Sequence, residues 1–245
     1  MKDTILDICK SIVTTGFYDK IKVTANQKNI TVEAMDKEKE VILKGTFAKP
    51  LAELDGEFGL SNLSLLGHIA SDSEFNSKES AIEVVYKTDA AGKTPVELSY
   101  TNKSKSYINY RFMSKQLIPD QPKFMEPQWD LVIKPTKSHI QQFAWAATGL
   151  GAYEQYFIPR IQDGNLKFFI GEEDAASQRG GVVFATDLTE TFDAAHKWKI
   201  AQVMTVLKLS EACDCEMAFS TKGVIQITLN TGVGTYRYIF PAKVR

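Results

Sequence analysis

The sequence predicts an α+β fold built from two similar halves. Three observations carry this: short β-branched runs outnumber helical ones, the order helix, strands, helix, strands occurs twice, and one proline-rich segment separates the two occurrences.

The first half opens on residues 3–13, where Ile5, Ile8, Cys9, Ile12 and Val13 recur at helical spacing and Gly16 supplies a stop. Strand-like runs follow at 17–25, 29–35 and 40–47, each rich in β-branched residues, and Pro50 breaks the pattern. A second helix is predicted over 59–70, with Leu60, Leu63, Leu66 and Ile69 on one face. Three further strands are predicted at 81–87, 95–101 and 106–112.

The second half repeats the order. A strand at 129–134 leads into a helix over 136–148 with Ile140, Phe143, Ala144 and Ala147 inward. Strands are predicted at 153–161, 165–171 and 181–187, then a helix over 197–209 and strands at 215–221, 223–230 and 235–241. The two second helices align at an offset of 140 residues: Phe58 falls on Trp198, Leu60 on Ile200, Leu63 on Val203, Leu66 on Val206 and Ile69 on Leu209. This predicts an N-terminal domain over 1–113, a connector over 114–127 with three prolines, and a C-terminal domain over 128–245.

Composition narrows the function classes. Hydrophobic residues make up 44% of the 245 and charged residues 24%, an ordinary globular mixture. No apolar run reaches the roughly 18 residues that span a bilayer, so no membrane role is expected. Asp3 and Asp7 interrupt what would have to be a signal peptide's apolar stretch. Three cysteines fall short of a disulfide framework, which points to a reducing compartment.

The net charge of −1 gives no direct sign of a polyanionic partner, so any such attraction has to come from charge arrangement. If copies of a two-helix, antiparallel-sheet domain joined edge to edge, their sheets would form an outer wall and their helices would line the inside, protecting the strand edges. The inward helices should then be poor in acids. The predicted helices at 136–148 and 197–209 hold Lys137, Lys197, Lys199 and Lys208 and no Asp or Glu. The helix over 59–70 has no acid and no lysine, while that over 3–13 sets Lys10, with Lys2 before it, against Asp3 and Asp7.

Several stretches resemble the DNA sliding clamps of T-even-type bacteriophages, the processivity factors of their polymerases. The opening Lys2–Ile5, with an apolar pair and Lys10 after it, is similar to the start of that family's first helix. Residues 130–143 (DLVIKPTKSHIQQF), 149–150 (GL) and 163–171 (DGNLKFFIG) resemble the corresponding strand, helix and hairpin. The order of elements agrees over essentially the whole chain.

The resemblance implies a duplicated DNA-clamp domain with antiparallel sheets outside and two helices per domain lining the inner face. It implies a homotrimeric ring around duplex DNA, opened by an ATP-dependent clamp loader and tethering the replicative DNA polymerase, in the cytoplasm of an infected bacterial host. No enzymatic activity, cofactor or metal is implied. The DNA-facing residues would be Lys2, Lys10, Lys137, Lys197, Lys199 and Lys208, contacting phosphates without reading sequence. Trp145 and Thr148 stand where relatives can carry basic residues.

A partner-peptide pocket near the connector would draw on Leu117, Ile118, Pro119, Phe124, Phe240 and Pro241, residues equally suited to packing between domains. Subunits would pair an edge strand at 106–112 with one at 180–186, bringing in Tyr107, Asn109, Arg111, Val182 and Phe184. The competing reading is a phage ring-forming structural or assembly protein with no DNA-sliding function.

The sequence contains neither a G-x-x-x-x-G-K-[ST] nor a G-x-G-x-x-G phosphate loop, and GVGT at 232–235 reads as a hairpin turn. Cys213 and Cys215 share one side of a strand without a second ligand pair, and Cys9 lies on an apolar helix face. His68, His139 and His196 are scattered, and Glu172, Glu173 and Asp174 read as a solvated loop. A hydrolase with an unrecognised site ranks well below the other two readings.

Overall fold

Each predicted helix and strand has a counterpart in the computed structural model, which describes residues 1–47, 49, 51–89, 92–118, 124–171 and 178–243. Pro50, Pro119 and the acidic run at 172–174 lie outside the described residues. The chain divides into two units: Met1–Lys123 with Asn230–Tyr236, and Phe124–Leu229 with Arg237–Arg245.

Unit 1 starts with helix α1 (Lys2–Ser11), which buries Ile5, Ile8 and Cys9 and ends in a tight turn closed by Gly16 at φ 70°. Glycine suits that left-handed position because it has no Cβ to clash there. Strands β1 (Ile21–Ala25), β2 (Ile30–Met35) and β3 (Ile42–Phe47) follow. Their alternating burial sends Ile21, Val23, Ile30, Val32 and Leu43 inward. Next come β4 (Gly56–Leu60), α2 (Leu63–Ser71), β5 (Ala81–Asp89), β6 (Gly92–Thr101) and β7 (Tyr107–Arg111). Within the unit the strands run in the orders β4-β1-β2-β3 and β5-β6-β7.

Unit 2 repeats the plan with β8 (Leu131–Ile133) placed ahead of it. Helix α3 (Lys137–Leu150) leads into β9 (Tyr156–Gln162), β10 (Asn165–Ile170) and β11 (Gly180–Ala185). Then come β12 (Trp198–Lys199), α4 (Ile200–Leu209), β13 (Asp214–Ser220), β14 (Val224–Asn230) and β15 (Gly234–Pro241). The orders β11-β10-β9-β12 and β15-β14-β13-β8 mirror those of unit 1. Thr136 caps α3 by accepting a hydrogen bond from the His139 amide at 3.2 Å. Asp163 and Gly164, at φ 54° and 72°, form the two-residue turn between β9 and β10, the geometry that Asp-Gly favours.

One prediction needs correction in both units. The sequence places helices over 59–70 and 197–209, yet β4 takes residues up to Leu60 and β12 takes Trp198–Lys199. Backbone pairing explains both changes. Phe58 pairs with Val23 of β1, and Trp198 pairs with Phe157 of β9, which holds each segment extended until the helix begins. The alignment of Phe58 with Trp198 therefore stands, as two strand residues with equivalent partners.

The core of unit 2 is aromatic. Phe143 meets Phe157 and Phe168 edge-on at centroid distances of 5.2 and 4.9 Å, and Phe168 stacks on Phe184 at 4.2 Å. Each of these rings is fully buried and contributes roughly 1.5–3 kcal/mol to the stability of α3 on its sheet.

Candidate nucleic-acid interface

Apolar spacing on α3 turns Ile140, Phe143 and Ala146 into the core and leaves a second stripe in water. That stripe consists of Ser138, Gln141, Gln142, Trp145, Thr148 and Gly149, one turn apart in sequence, with Lys137 at its start. On α4, Val203, Val206 and Leu207 are buried, while Ala201 and Lys208 face solvent. The small residues Ala144, Ala147 and Ala201 leave a groove of about 530 Å³, bordered by Thr148, Lys199, Met204 and Lys208.

No acidic side chain occurs on either helix, and Lys137 and Lys208 form no ion pair among the described residues. Their charges are available to an anion. Thr148 and Thr205 instead return their hydroxyls to the helix, donating to the carbonyls of Ala144 at 2.9 Å and Ala201 at 2.8 Å.

Lys197 and Lys199 do not stand on α4 as predicted. The β12 pairing puts them on the extended segment before it, and Lys199 reaches the groove from there. The Lys197 ammonium lies 4.9 Å from the Tyr156 ring centroid. The Lys243 ammonium approaches the same ring and donates to its hydroxyl at 3.2 Å. Lys243 was missed from the sequence because the residue that gathers it, Tyr156, is 87 positions away.

The helices of unit 1 carry no net positive charge, because Asp3 and Asp7 offset Lys2 and Lys10 on α1. Lys2, predicted to face DNA, donates to the carbonyls of Ser77 and Ser80 and to the Ser80 hydroxyl, so its ammonium is engaged inside the unit. Lys10 and Asp3 are exposed, and His68 is the one basic side chain on α2. Asp7 does not share the open face: its Oδ2 accepts from the hydroxyls of Thr231 at 2.9 Å and Tyr236 at 2.6 Å.

The predicted peptide-pocket residues fall into two groups. In unit 1, Leu117 is 67% exposed in a turn, and Ile118 packs against Gly59. In unit 2, Phe124 is half-buried and Pro241 exposed, but Phe240 is a core residue whose carbonyl accepts from Trp198 Nε1 at 2.9 Å. A ring sealed in this way cannot wall an open pocket. Pro119 lies outside the described residues.

Strands β7 and β11 are each the terminal strand of their sheet. Tyr107, Asn109 and Arg111 share the exposed face of β7; Asn109 accepts from Ser99 Oγ at 3.0 Å, and Arg111 bonds Glu97 at 3.2 Å. On β11, Val182 is half-buried, while Phe184 belongs to the aromatic core and has no side-chain surface to offer a neighbour.

The architecture itself decides the comparison with known proteins. No protein-family model matches the sequence, and no curated protein matches it. Solved structures do. A structure of the C-terminal region of FEN-1 bound to A. fulgidus PCNA superposes with a TM-score of 0.72 at 12% identity, covering 100% of this chain and 96% of that one. PCNA from Thermococcus kodakaraensis gives a TM-score of 0.67 at 12% identity, covering 97% of each chain.

The chain has the PCNA-like clamp fold. The likeness runs over both units, α+β with antiparallel sheets and two helices apiece. At 12% identity it reaches the fold and not the individual residues.

Proposed function

We propose that this chain is a DNA sliding clamp: a homotrimeric ring that encircles duplex DNA and tethers a replicative DNA polymerase, with no catalytic chemistry of its own. The observation that carries the reading is the acid-free, lysine-bearing surface of α3 and α4 within a clamp-type fold. Lys137, Lys197, Lys199 and Lys208, with Lys10 from unit 1 and the newly found Lys243, would neutralise phosphates without reading bases, as sliding requires.

The edges of β7 and β11 would pair between subunits through their backbones, with Tyr107, Asn109, Arg111 and Val182 alongside. An ATP-dependent loader would open that joint. Leu117, Ile118, Phe124 and Pro241 remain the proposed contacts for a partner's peptide, a role consistent with the bound C-terminal region in the A. fulgidus PCNA structure. The sequence resemblance to T-even-type phage clamps proposes the infected bacterial cytoplasm as the compartment.

Native mass spectrometry and retention on nicked circular DNA test this together. A trimer that needs a loader to reach circular DNA, and runs off once the circle is linearised, is the expected result. A monomer with no loader-dependent retention overturns the reading.

A further inference from the structure

Trp145 is 81% exposed, and it is the one large apolar side chain that α3 leaves in water. Single exposed hydrophobics are common, so exposure alone assigns nothing. Position does. The ring stands at the middle of the solvent stripe, one turn from Gln141, Gln142, Thr148 and Gly149 and two turns from Ser138. None of these neighbours is charged. The charged side chains on α3 and α4 are the lysines Lys137 and Lys208.

A protein-binding hot spot would set such a ring among other large exposed apolar groups; Trp145 is the one on α3 or α4, and the groove beside it is formed by the small residues Ala144, Ala147 and Ala201. A polyanion whose apolar faces lie between its charges matches the surface better: lysines meet phosphates, and the ring meets what lies between them. Deoxyribose edges are apolar and the same at every base pair, so such a contact carries no sequence information.

We propose that Trp145 contacts the sugar edges of the duplex, an apolar contact made on the same two-helix surface as the phosphate contacts of Lys137 and Lys208. This rests on the clamp reading of the α3–α4 surface and adds a second kind of contact to it. The contact contributes affinity without counterion release, so it leaves the salt dependence of binding unchanged.

The test uses the full-length protein with Trp129→Phe, which leaves exposed Trp145 and the buried Trp198 as fluorophores. Titration with a 30-base-pair duplex at low salt should quench the exposed emission and shift it to the blue. Trp145→Gln should abolish that change and weaken binding roughly three- to tenfold with an unaltered salt slope, while Trp145→Tyr retains most of the affinity. Lys137→Glu with Lys208→Glu should lower the slope instead.

Duplex binding with unchanged Trp145 emission and wild-type affinity for Trp145→Gln overturns the contact and leaves the clamp reading intact. A signal from single-stranded but not duplex DNA overturns it in favour of base stacking. Absence of DNA binding and of loader-dependent retention overturns both.

Discussion

The Tyr236 hydroxyl donates to Asp7 Oδ2 at 2.6 Å, across 229 positions of sequence. The Thr231 hydroxyl donates to the same oxygen, so one carboxylate on α1 holds both sides of the turn between β14 and β15. On a helix expected to face DNA, Asp7 is an unexpected charge; its role is structural. Asp7→Ala should cost about 1–3 kcal/mol, because it removes the shared acceptor of two hydroxyl donors. Urea denaturation measures this, and DNA retention should hold wherever the protein stays folded.

Replacing Lys137 and Lys199 by Glu tests the cationic surface. Lys137 is exposed and Lys199 borders the groove, so neither change disturbs the core. The double variant should stay folded and trimeric and should no longer show loader-dependent retention. Its salt slope should fall by roughly one unit for each phosphate that no longer meets a lysine. Unchanged polymerase processivity would count against the DNA-facing assignment.

Glu57 receives Lys115 at 2.7 Å and Lys22 at 2.6 Å. The hydrogen bond from Lys115, followed by that from Lys22, holds its carboxyl below the usual range. A depressed carboxyl value stabilises the fold above the unfolded value of about 4.3, and that stabilisation fades as pH falls through the lower folded value. With Lys115 69% exposed, solvent screening limits the pair to about 0.5–1 kcal/mol. Glu57→Gln should therefore lower Tm slightly at pH 7 and converge with wild type as pH falls through the depressed folded value.

Phe168 touches Phe143, Phe157, Phe184 and Phe219 in the core of unit 2. Phe168→Ala should cost about 3–5 kcal/mol, since four flat rings cannot collapse into the space. Chemical denaturation followed by Trp198 fluorescence would report it, and a loss under about 1 kcal/mol would contradict the packing.

Burial pushes the Cys9 and Cys215 thiols up to about 12, so almost no thiolate exists at neutral pH. Neither should react with iodoacetamide in the native protein, and both should do so in denaturant. Rapid native labelling of Cys9 would place it outside the core.

Local pattern made the architecture legible. Ile5, Ile8 and Cys9 at helical spacing, and Val23 or Val32 alternating with polar neighbours, state which face is buried without reference to any distant residue. The two-residue strand β12 was not legible, because only the pairing of Trp198 with Phe157 makes it a strand. Nor was the inward turn of Phe184 or Phe240: both read as surface candidates, and both are sealed by rings or backbone remote in sequence.

The sequence by itself determined the α+β class, the twice-repeated order of helices and strands, and the absence of acids along the stretches that become α3 and α4. Only the tertiary structure decided what each charge does. Lys2 is captured by Ser77 and Ser80, Asp7 by Tyr236, and Lys243 is brought to Tyr156 beside Lys197, while Lys137 and Lys208 are left open. Periodicity encodes which way a side chain points; its partner depends on which distant segment the packing brings within about 3 Å.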